Sequence, residues 1–368
     1  FVDPAAEARM DNIYRYFTGA TMAFEDLVYE KKRLILRSAL VSELTVLATM
    51  LDHISERNRC SRDFTWGALR DALREVVACF PVYRTYVDAF AGQVAQRDRD
   101  YVDLAVRRAN RRNRGSELIL GFVRNILLLN WPEELDEEAR RQHAAFVMKF
   151  QQLTGPVMAK GVEDTAFYVF NRLVSLNEVG GEPDRFGRTP EEFHVAMLDR
   201  AQRWPHALST SSTHDTKRSE DVRARINVLS EIPELWALQV EAWAGYNAVH
   251  KRRDDDGNEI PDPNDEYLLY QTLVGAWPFG QVDEQAREDF VARLQAYVEK
   301  ATREAKTHTS WINPNTAYDE GLAAFVAAIL APGNTSFLED LIPFQRTVAR
   351  LGMVNALAQT LVKLTAPG

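Results

Sequence analysis

The sequence predicts a mainly α-helical chain with a few short β-strands in a β/α order, on three observations. Apolar residues recur at i, i+3 and i+4 through most of the 368 residues, the spacing that places them on one face of a helix. Three brief apolar segments break that rhythm, each bounded by turn formers or polar residues and each followed by a helical stretch. A hydrophobic content of 46% is enough for a substantial core, in one large domain or two to three smaller ones.

In chain order, Leu40, Leu44, Leu47 and Leu51 predict one helix and Leu69, Leu73 and Val76 another, making the first third helical. Residues 81–87 (Pro81-Val82-Tyr83-Arg84-Thr85-Tyr86-Val87) are the first expected strand. Arg107, Arg108, Arg111, Arg112 and Arg114 stand before Gly115, where a helix ends and cations complement its carbonyl-rich terminus. The second and third expected strands are residues 155–160 and 206–211. Two connections, Asn177 to Arg188 and Arg252 to Asp265, carry the Gly, Pro and acidic residues of surface loops. Within the second, residues 254–259 lack the oxygen-ligand spacing and distal glutamate of a calcium loop. Leu322, Phe325, Val326, Ile329 and Leu330 mark a helix begun by Asn313-Pro314-Asn315-Thr316, and Phe337, Leu341, Phe344 and Val348 a further one. No internal repeat is visible. Three strands cannot close a barrel of about eight, so a barrel requires strands outside this chain.

Composition excludes several classes. A net charge of −9 argues against a nucleic-acid partner, whose phosphates need clustered cations. No run of about 18 apolar residues offers a membrane span. The opening Phe1-Val2-Asp3-Pro4 has the look neither of a signal peptide nor of a natural start, and an internal beginning is expected. Cys60 and Cys79 have no CxxC spacing, which predicts neither a disulfide framework nor a zinc site and fits a reducing cytoplasm. The seven histidines are scattered without HExxH spacing, so a metal-dependent hydrolase is not expected and no metal or other cofactor is implied.

Two polar constellations carry the candidate chemistry. The run Ser209-Thr210-Ser211-Ser212-Thr213-His214-Asp215-Thr216-Lys217-Arg218-Ser219-Glu220-Asp221 reads as a strand end feeding a helix, where a carboxylate can point into a pocket. His214 could bind a sugar hydroxyl or fix the carboxylate, and Lys217 and Arg218 favour ionised Asp215. The same residues also fit a plain helix start, with Thr213 or Asp215 as cap and Glu220 with Arg223 and Asp221 with Arg225 as surface pairs. The second run, Met158-Ala159-Lys160-Gly161-Val162-Glu163-Asp164-Thr165-Ala166-Phe167-Tyr168, combines a flexible ammonium with an aromatic ring, equipment for a polyhydroxylated ring. Glu163 and Asp164 equally suit the first turn of a helix.

The stretch from Gly155 to Gly187, including Leu176-Asn177-Glu178-Val179-Gly180-Gly181, closely resembles the maltooligosyltrehalose synthase family. So do residues 212–225, Pro81-Val82-Tyr83-Arg84-Thr85-Tyr86 and His308-Thr309-Ser310-Trp311-Ile312-Asn313-Pro314, in the order the family has them. The resemblance implies the α-amylase clan (glycoside hydrolase family 13). It further implies a partial (β/α)8 TIM barrel of α-amylase type, with residues 1–150 as a large helical subdomain and 151–368 as the later β/α part. The implied reaction, an isomerisation of trehalose biosynthesis, turns the reducing-end α-1,4 linkage of a maltooligosaccharide into α,α-1,1. His214-Asp215 matches the last sequence region shared by the clan, implying that Asp215 holds the 2- and 3-hydroxyls and stabilises the transition state, with His214 a sugar-binding neighbour. Most amylases have Asn before this pair; here Thr213 stands there. Lys160 and Tyr168 are implied holders of the released reducing-end glucose, and Arg84, Lys217 and Arg218 come from matching segments. The nucleophile and acid/base are implied on earlier strands outside this chain, and a further strand and β-rich domain after it, so these segments of the same enzyme and an α-glucan are the expected partners. The alternative is a helical scaffold or a non-catalytic glucan-binding fragment.

Overall fold

The computed structural model describes residues 1–113, 117–132, 135–280 and 282–368; Arg114 and Gly115 of the cationic run lie outside them. The chain divides into two compact units, one of residues 1–24 with 167–368 and one of residues 25–166. Helix α1 (Glu7–Thr18) belongs to the first.

The 25–166 unit is built from α2 (Phe24–Arg37), α3 (Val41–Glu56), α4 (Trp66–Ala78), α5 (Gln96–Arg112), α6 (Glu117–Leu127) and α7 (Glu137–Met158), the last continued by a π-helical turn, Ala159–Glu163. Leu47 and Leu51 of α3 and Leu69, Leu73 and Val76 of α4 are fully buried with Phe146 and Phe150 of α7, so the leucine spacing read from the sequence does face a core. Thr65 accepts from the Ala68 N–H at 3.3 Å and Asp136 from the Ala139 N–H at 2.6 Å, capping α4 and α7 as short polar side chains do. The cations at the end of α5 are not merely solvated: Arg112 bonds Asp26 at 2.6 Å and lies 4.0 Å from the Tyr29 ring centroid.

None of the three expected strands forms. Residues 155–160 are helical, because Phe150, Leu153 and Val157 continue the buried stripe of α7 past Pro156 and into the π turn. Residues 81–87 run without a neighbouring strand; the buried Gln151 amide takes a ladder's place, accepting from Val87 N–H at 2.8 Å and donating to Val87 O at 3.0 Å. Residues 206–211 are irregular with Leu208 98% exposed, and Arg200 rather than a strand binds Ser209 Oγ at 2.8 Å. A strand's backbone groups need ladder partners, and no strand lies beside these segments among the described residues.

The larger unit adds α8 (Pro190–Arg203), α9 (Glu220–Asn227), α10 (Pro233–Asn247), the strands β1 (Arg252–Arg253) and β2 (Glu259–Ile260), and helices α11 (Pro263–Ala276), α12 (Glu284–Ala305), α13 (Thr316–Ile329) and α14 (Thr335–Thr365). Its core is aromatic: Trp236 and Trp243 of α10 are fully buried with Tyr267, Tyr270, Phe325 and Phe337. Trp243 meets Phe344 edge-on at 5.4 Å and Phe337 at 5.8 Å, geometries that suit ring quadrupoles. Helix α9 lies so close to α11 that a Cβ on Gly275 would come within 2.8–2.9 Å of Val222 and Ile226. The 313–316 turn starts α13 as expected, with the Asn315 side chain accepting from Tyr318 N–H at 3.2 Å. The acidic connection is not all loop: β1 and β2 pair antiparallel, and Asp254 receives the N–H groups of Asp256 (3.0 Å) and Asn258 (2.8 Å), the self-bonded turn that Asp favours. Among the described residues no single helix is long and apolar enough to cross a membrane.

Candidate functional site

His214 and Asp215 form the tip of a turn, and both are exposed. The turn is held by its flanking threonines. Thr213 Oγ1 accepts from Asp215 N–H at 3.2 Å, Thr216 Oγ1 donates to Thr213 O at 2.7 Å, and Thr213 N–H donates to Thr216 Oγ1 at 3.2 Å. Thr213 therefore fixes the turn from within, as hydroxyl side chains can.

The helix-start reading of this run does not match the structure. The N-cap of α9 is Ser219, with no side-chain cap bond, so neither Thr213 nor Asp215 is occupied in capping. Among the described residues neither expected surface pair closes as a salt bridge, although the Asp221 charge acts on Arg225. Arg223 faces Glu178 at 3.9 Å and donates to Ser211 O, while Arg225 is buried and donates to Gly275 O at 3.0 Å and Trp277 O at 2.8 Å.

The remaining candidates are placed as follows. Arg218 is 6% exposed and directed into its unit, with Nη1 donating to Val174 O at 3.1 Å and Nη2 to Tyr297 OH at 2.7 Å. Lys217 and Arg218 share a cavity of about 170 Å³ with Phe290, Arg293 and Tyr297. Tyr168 is buried in the same unit. In the 25–166 unit, Lys160 is exposed on the π turn, where its carbonyl accepts from Thr165 Oγ1 at 2.8 Å. Glu163 on that turn accepts from Tyr83 OH, so it is not simply a first-turn acid. Arg84 packs over the Tyr86 ring at 4.8 Å. Thus Asp215 shares a unit with His214, Lys217, Arg218 and Tyr168, and Lys160 shares the other with Arg84. Beside the turn, Gly180, Gly181, Arg188, Thr210, Ser211 and Arg223 line part of a cavity of about 730 Å³.

Two groups have roles that the sequence reading did not assign. Glu178 accepts from the backbone N–H of Lys217 at 2.8 Å and 3.1 Å and of Arg218 at 3.4 Å; it stood within a quoted motif but without a role. The second is a cluster of Asp262, Asp265, His308 and Tyr318. His308 Nε2 lies 2.6 Å from Asp262 Oδ2, Tyr318 OH donates to Asp265 Oδ2 at 2.6 Å, and the His308 and Tyr318 rings stack at 4.5 Å. Burial, reinforced by the Asp262 charge, pushes the Asp265 carboxyl up to about 7. The hydrogen bond to Asp262 raises the His308 imidazole. Burial works to raise Asp262 as well, yet bonds from His308 and the backbone hold it below the usual carboxylate range. The donor atoms of Asp262, Asp265 and His308 lie within 4.8 Å of one another, a spacing that could hold a metal ion, but they are engaged with each other and with Tyr318. An N-cap aspartate such as Asp262, which accepts from Asp265 N–H at 2.7 Å, was legible; its partner 46 residues away was not.

No protein-family model matches the chain. Solved structures define its class: over its whole length it has the fold of the glycosyltrehalose and maltooligosyltrehalose synthases. The maltooligosyltrehalose synthase of Arthrobacter ramosus is 35% identical with a TM-score of 0.79, covering 100% of this chain and 41% of that one. The DSM5389 glycosyltrehalose synthase is 30% identical with a TM-score of 0.73, covering 100% and 40%. A curated Mycobacterium tuberculosis protein assigned as a maltooligosyl trehalose synthase is 44% identical over 222 residues, 60% of this chain and 27% of that protein. The chain belongs to the maltooligosyltrehalose synthase family, and it spans well under half the length of these relatives.

Proposed function

We propose that this chain is part of an enzyme that isomerises the reducing end of a maltooligosaccharide, converting its terminal α-1,4 bond to α,α-1,1 in trehalose biosynthesis. The observation that carries the reading is the likeness, over the whole of this chain and 41% of the relative, to a synthase of that name at 35% identity, joined to a His214–Asp215 pair whose side chains bond to none of the described residues. In this reading the irregular segments form part of a (β/α)8 barrel of the glycoside hydrolase family 13 kind once the rest of the protein supplies neighbouring strands. The retaining reaction needs a carboxylate nucleophile and a second carboxyl serving as acid and then base, both expected outside this chain. The chain alone is accordingly expected to be inactive on maltopentaose.

Within the reaction, Asp215 carries a negative charge where the ring being transferred becomes oxocarbenium-like. It binds the 2- and 3-hydroxyls more tightly in the transition state than in the ground state, and such differential contacts govern rate. His214 adds a hydrogen bond to the sugar, and Lys160 and Tyr168 hold the severed glucose while it turns and attacks through its anomeric hydroxyl. Arg84, Lys217 and Arg218 act around that site; the buried Arg218 does so by holding its segment. Exclusion of water from the intermediate is what separates isomerisation from hydrolysis. No metal or cofactor takes part. Two free cysteines, Cys60 exposed and Cys79 buried, support a reducing, cytoplasmic setting.

The test is Asp215→Asn in the full-length protein, assayed for trehalose-terminated product from maltopentaose. A fall in kcat of about 100-fold or more is expected, the size of losing one preorganised electrostatic contact, with thermal stability retained. Turnover near wild type would remove Asp215 from the reaction and favour a glucan-binding or scaffold role.

A further inference from the structure

We propose that Glu178 is the positioning residue of the Asp215 turn, and that Leu176-Asn177-Glu178-Val179-Gly180-Gly181 is a clamp for that turn. The inference rests on the assignment of Asp215 above. The Glu178 side chain is 15% exposed, and its carboxylate reaches across 39 residues to take the Lys217 N–H on both oxygens, at 2.8 Å and 3.1 Å, with the Arg218 N–H at 3.4 Å. Those amides follow Asp215 by two and three residues, immediately beyond the Thr213–Thr216 pair that closes the turn. Arg223 completes the brace: its Nε lies 3.9 Å from Glu178 and its Nη2 donates to Ser211 O, on the other side of the turn. The carboxylate thus fixes the 217–218 end of residues 211–218 directly, while at the 211 end Arg223, bonded to Ser211 O, brings only its charge within 3.9 Å of Glu178. Charged acceptors make the stronger backbone bonds.

The clamp is itself fixed. Asn177 Nδ2 donates to Phe167 O at 2.9 Å and Phe170 O at 2.7 Å, tying the residue before Glu178 to the unit's interior. Gly180 has φ +72, and at Gly181 a Cβ would sit 2.7 Å from Glu178 O and 2.8 Å from Leu176 O, so the tight turn that aims Glu178 requires glycine. Among the described residues the Asp215 side chain bonds none that would orient its backbone, and its direction is inherited from the residues that Glu178 holds. Preorganisation of a charged group matters because displacement of about 1 Å can cost on the order of 100-fold in rate.

The experiment uses the full-length protein and compares Glu178→Ala, Glu178→Gln and Asp215→Asn for kcat, KM on maltopentaose and melting temperature. Hydrogen exchange of residues 213–218 is read alongside. Glu178→Ala is expected to lower kcat by on the order of 100-fold with KM within about 3-fold, and to speed exchange at Lys217. Glu178→Gln keeps one acceptor oxygen and recovers part of the loss, to within about 10-fold of wild type. A purely structural residue would shift melting temperature without this kcat-selective loss and its recovery by Gln. If Asp215→Asn abolishes turnover while both Glu178 variants work at the wild-type rate, the inference is overturned and the Asp215 reading stands. Should Asp215→Asn turn over normally, both fall. If the Ala variant does not fold, the Gln variant decides alone: a kcat loss of about 10-fold at unchanged KM supports the clamp, and a wild-type kcat overturns it.

Discussion

The buried acid cluster makes a pH dependence that can be worked from the structure. Asp265 sits at the start of α11 with Tyr318 OH donating to it and the Asp262 carboxylate beside it. Its carboxyl moves from 3.8 to about 7 on folding, a span of about three pH units worth about 1.4 kcal/mol each. Because the folded value is the higher one, the folded chain keeps a proton that the unfolded chain releases above pH 3.8. The stabilisation is therefore complete below that pH and is lost as pH rises through about 7, about 4 kcal/mol in full. His308 is also raised, so its contribution is lost in the same direction above the ordinary imidazole range. Asp262 is lowered, and its contribution is lost only on acidification below 3.8. Asp265→Asn keeps the shape and an acceptor for Tyr318 but removes the proton. Urea unfolding of the chain at pH 5, 6, 7 and 8, read on the transition of the unit containing Asp265, should show the variant gaining on wild type by about 2–3 kcal/mol between pH 5 and 7. Parallel pH profiles for the two proteins would refute the argument that Asp265 is protonated in the folded state near neutrality.

Two further outcomes concern the 25–166 unit. Gly161→Ala places a methyl 2.9 Å from Lys32 Cγ and 3.0 Å from Lys32 Cα; Lys32 is itself buried with Nζ bonded to Phe80 O at 2.7 Å, so it cannot withdraw. A loss of about 1–3 kcal/mol is expected in chemical denaturation, and an unchanged midpoint would contradict the packing. Gln151→Leu strips the partners from both Val87 N–H and Val87 O and should cost about 1–3 kcal/mol per unsatisfied group. Faster hydrogen exchange at Val87 is the accompanying signature, and wild-type protection there would contradict the amide's role.

The helices were legible because burial is periodic: Leu47, Leu51, Leu69, Leu73 and Val76 all end in a core, and Asn315 caps where turn chemistry places a cap. The strand assignments failed for a related reason. Residues 155–160 look like a short apolar run bounded by Gly and Pro, but Val157 stands in helical register with Phe150 and Leu153, a register visible only when the window reaches back into α7. Residues 206–211 and 81–87 carry strand-like composition, yet extended backbone becomes a strand only beside another strand. Of the candidate site, the His214–Asp215 pair was legible as a motif. Glu178 was not, since a carboxylate bonding backbone amides 39 residues away leaves no spacing or composition signal. The contact of Asp262 with His308 is hidden in the same way, and the β1–β2 hairpin was missed because two-residue strands are too short to show alternation.

The assignment of Asp215 to a carbohydrate site is tested most directly by the structure of the full-length protein with maltopentaose bound. The distance to be measured runs from the Asp215 carboxylate oxygens to the hydroxyls of the glucose at the reacting bond. Hydrogen-bond contact with the 2- and 3-hydroxyls is expected, at about 2.5–3.2 Å, with Glu178 still on the Lys217 amide. An oligosaccharide bound elsewhere, with Asp215 still facing water, would contradict it.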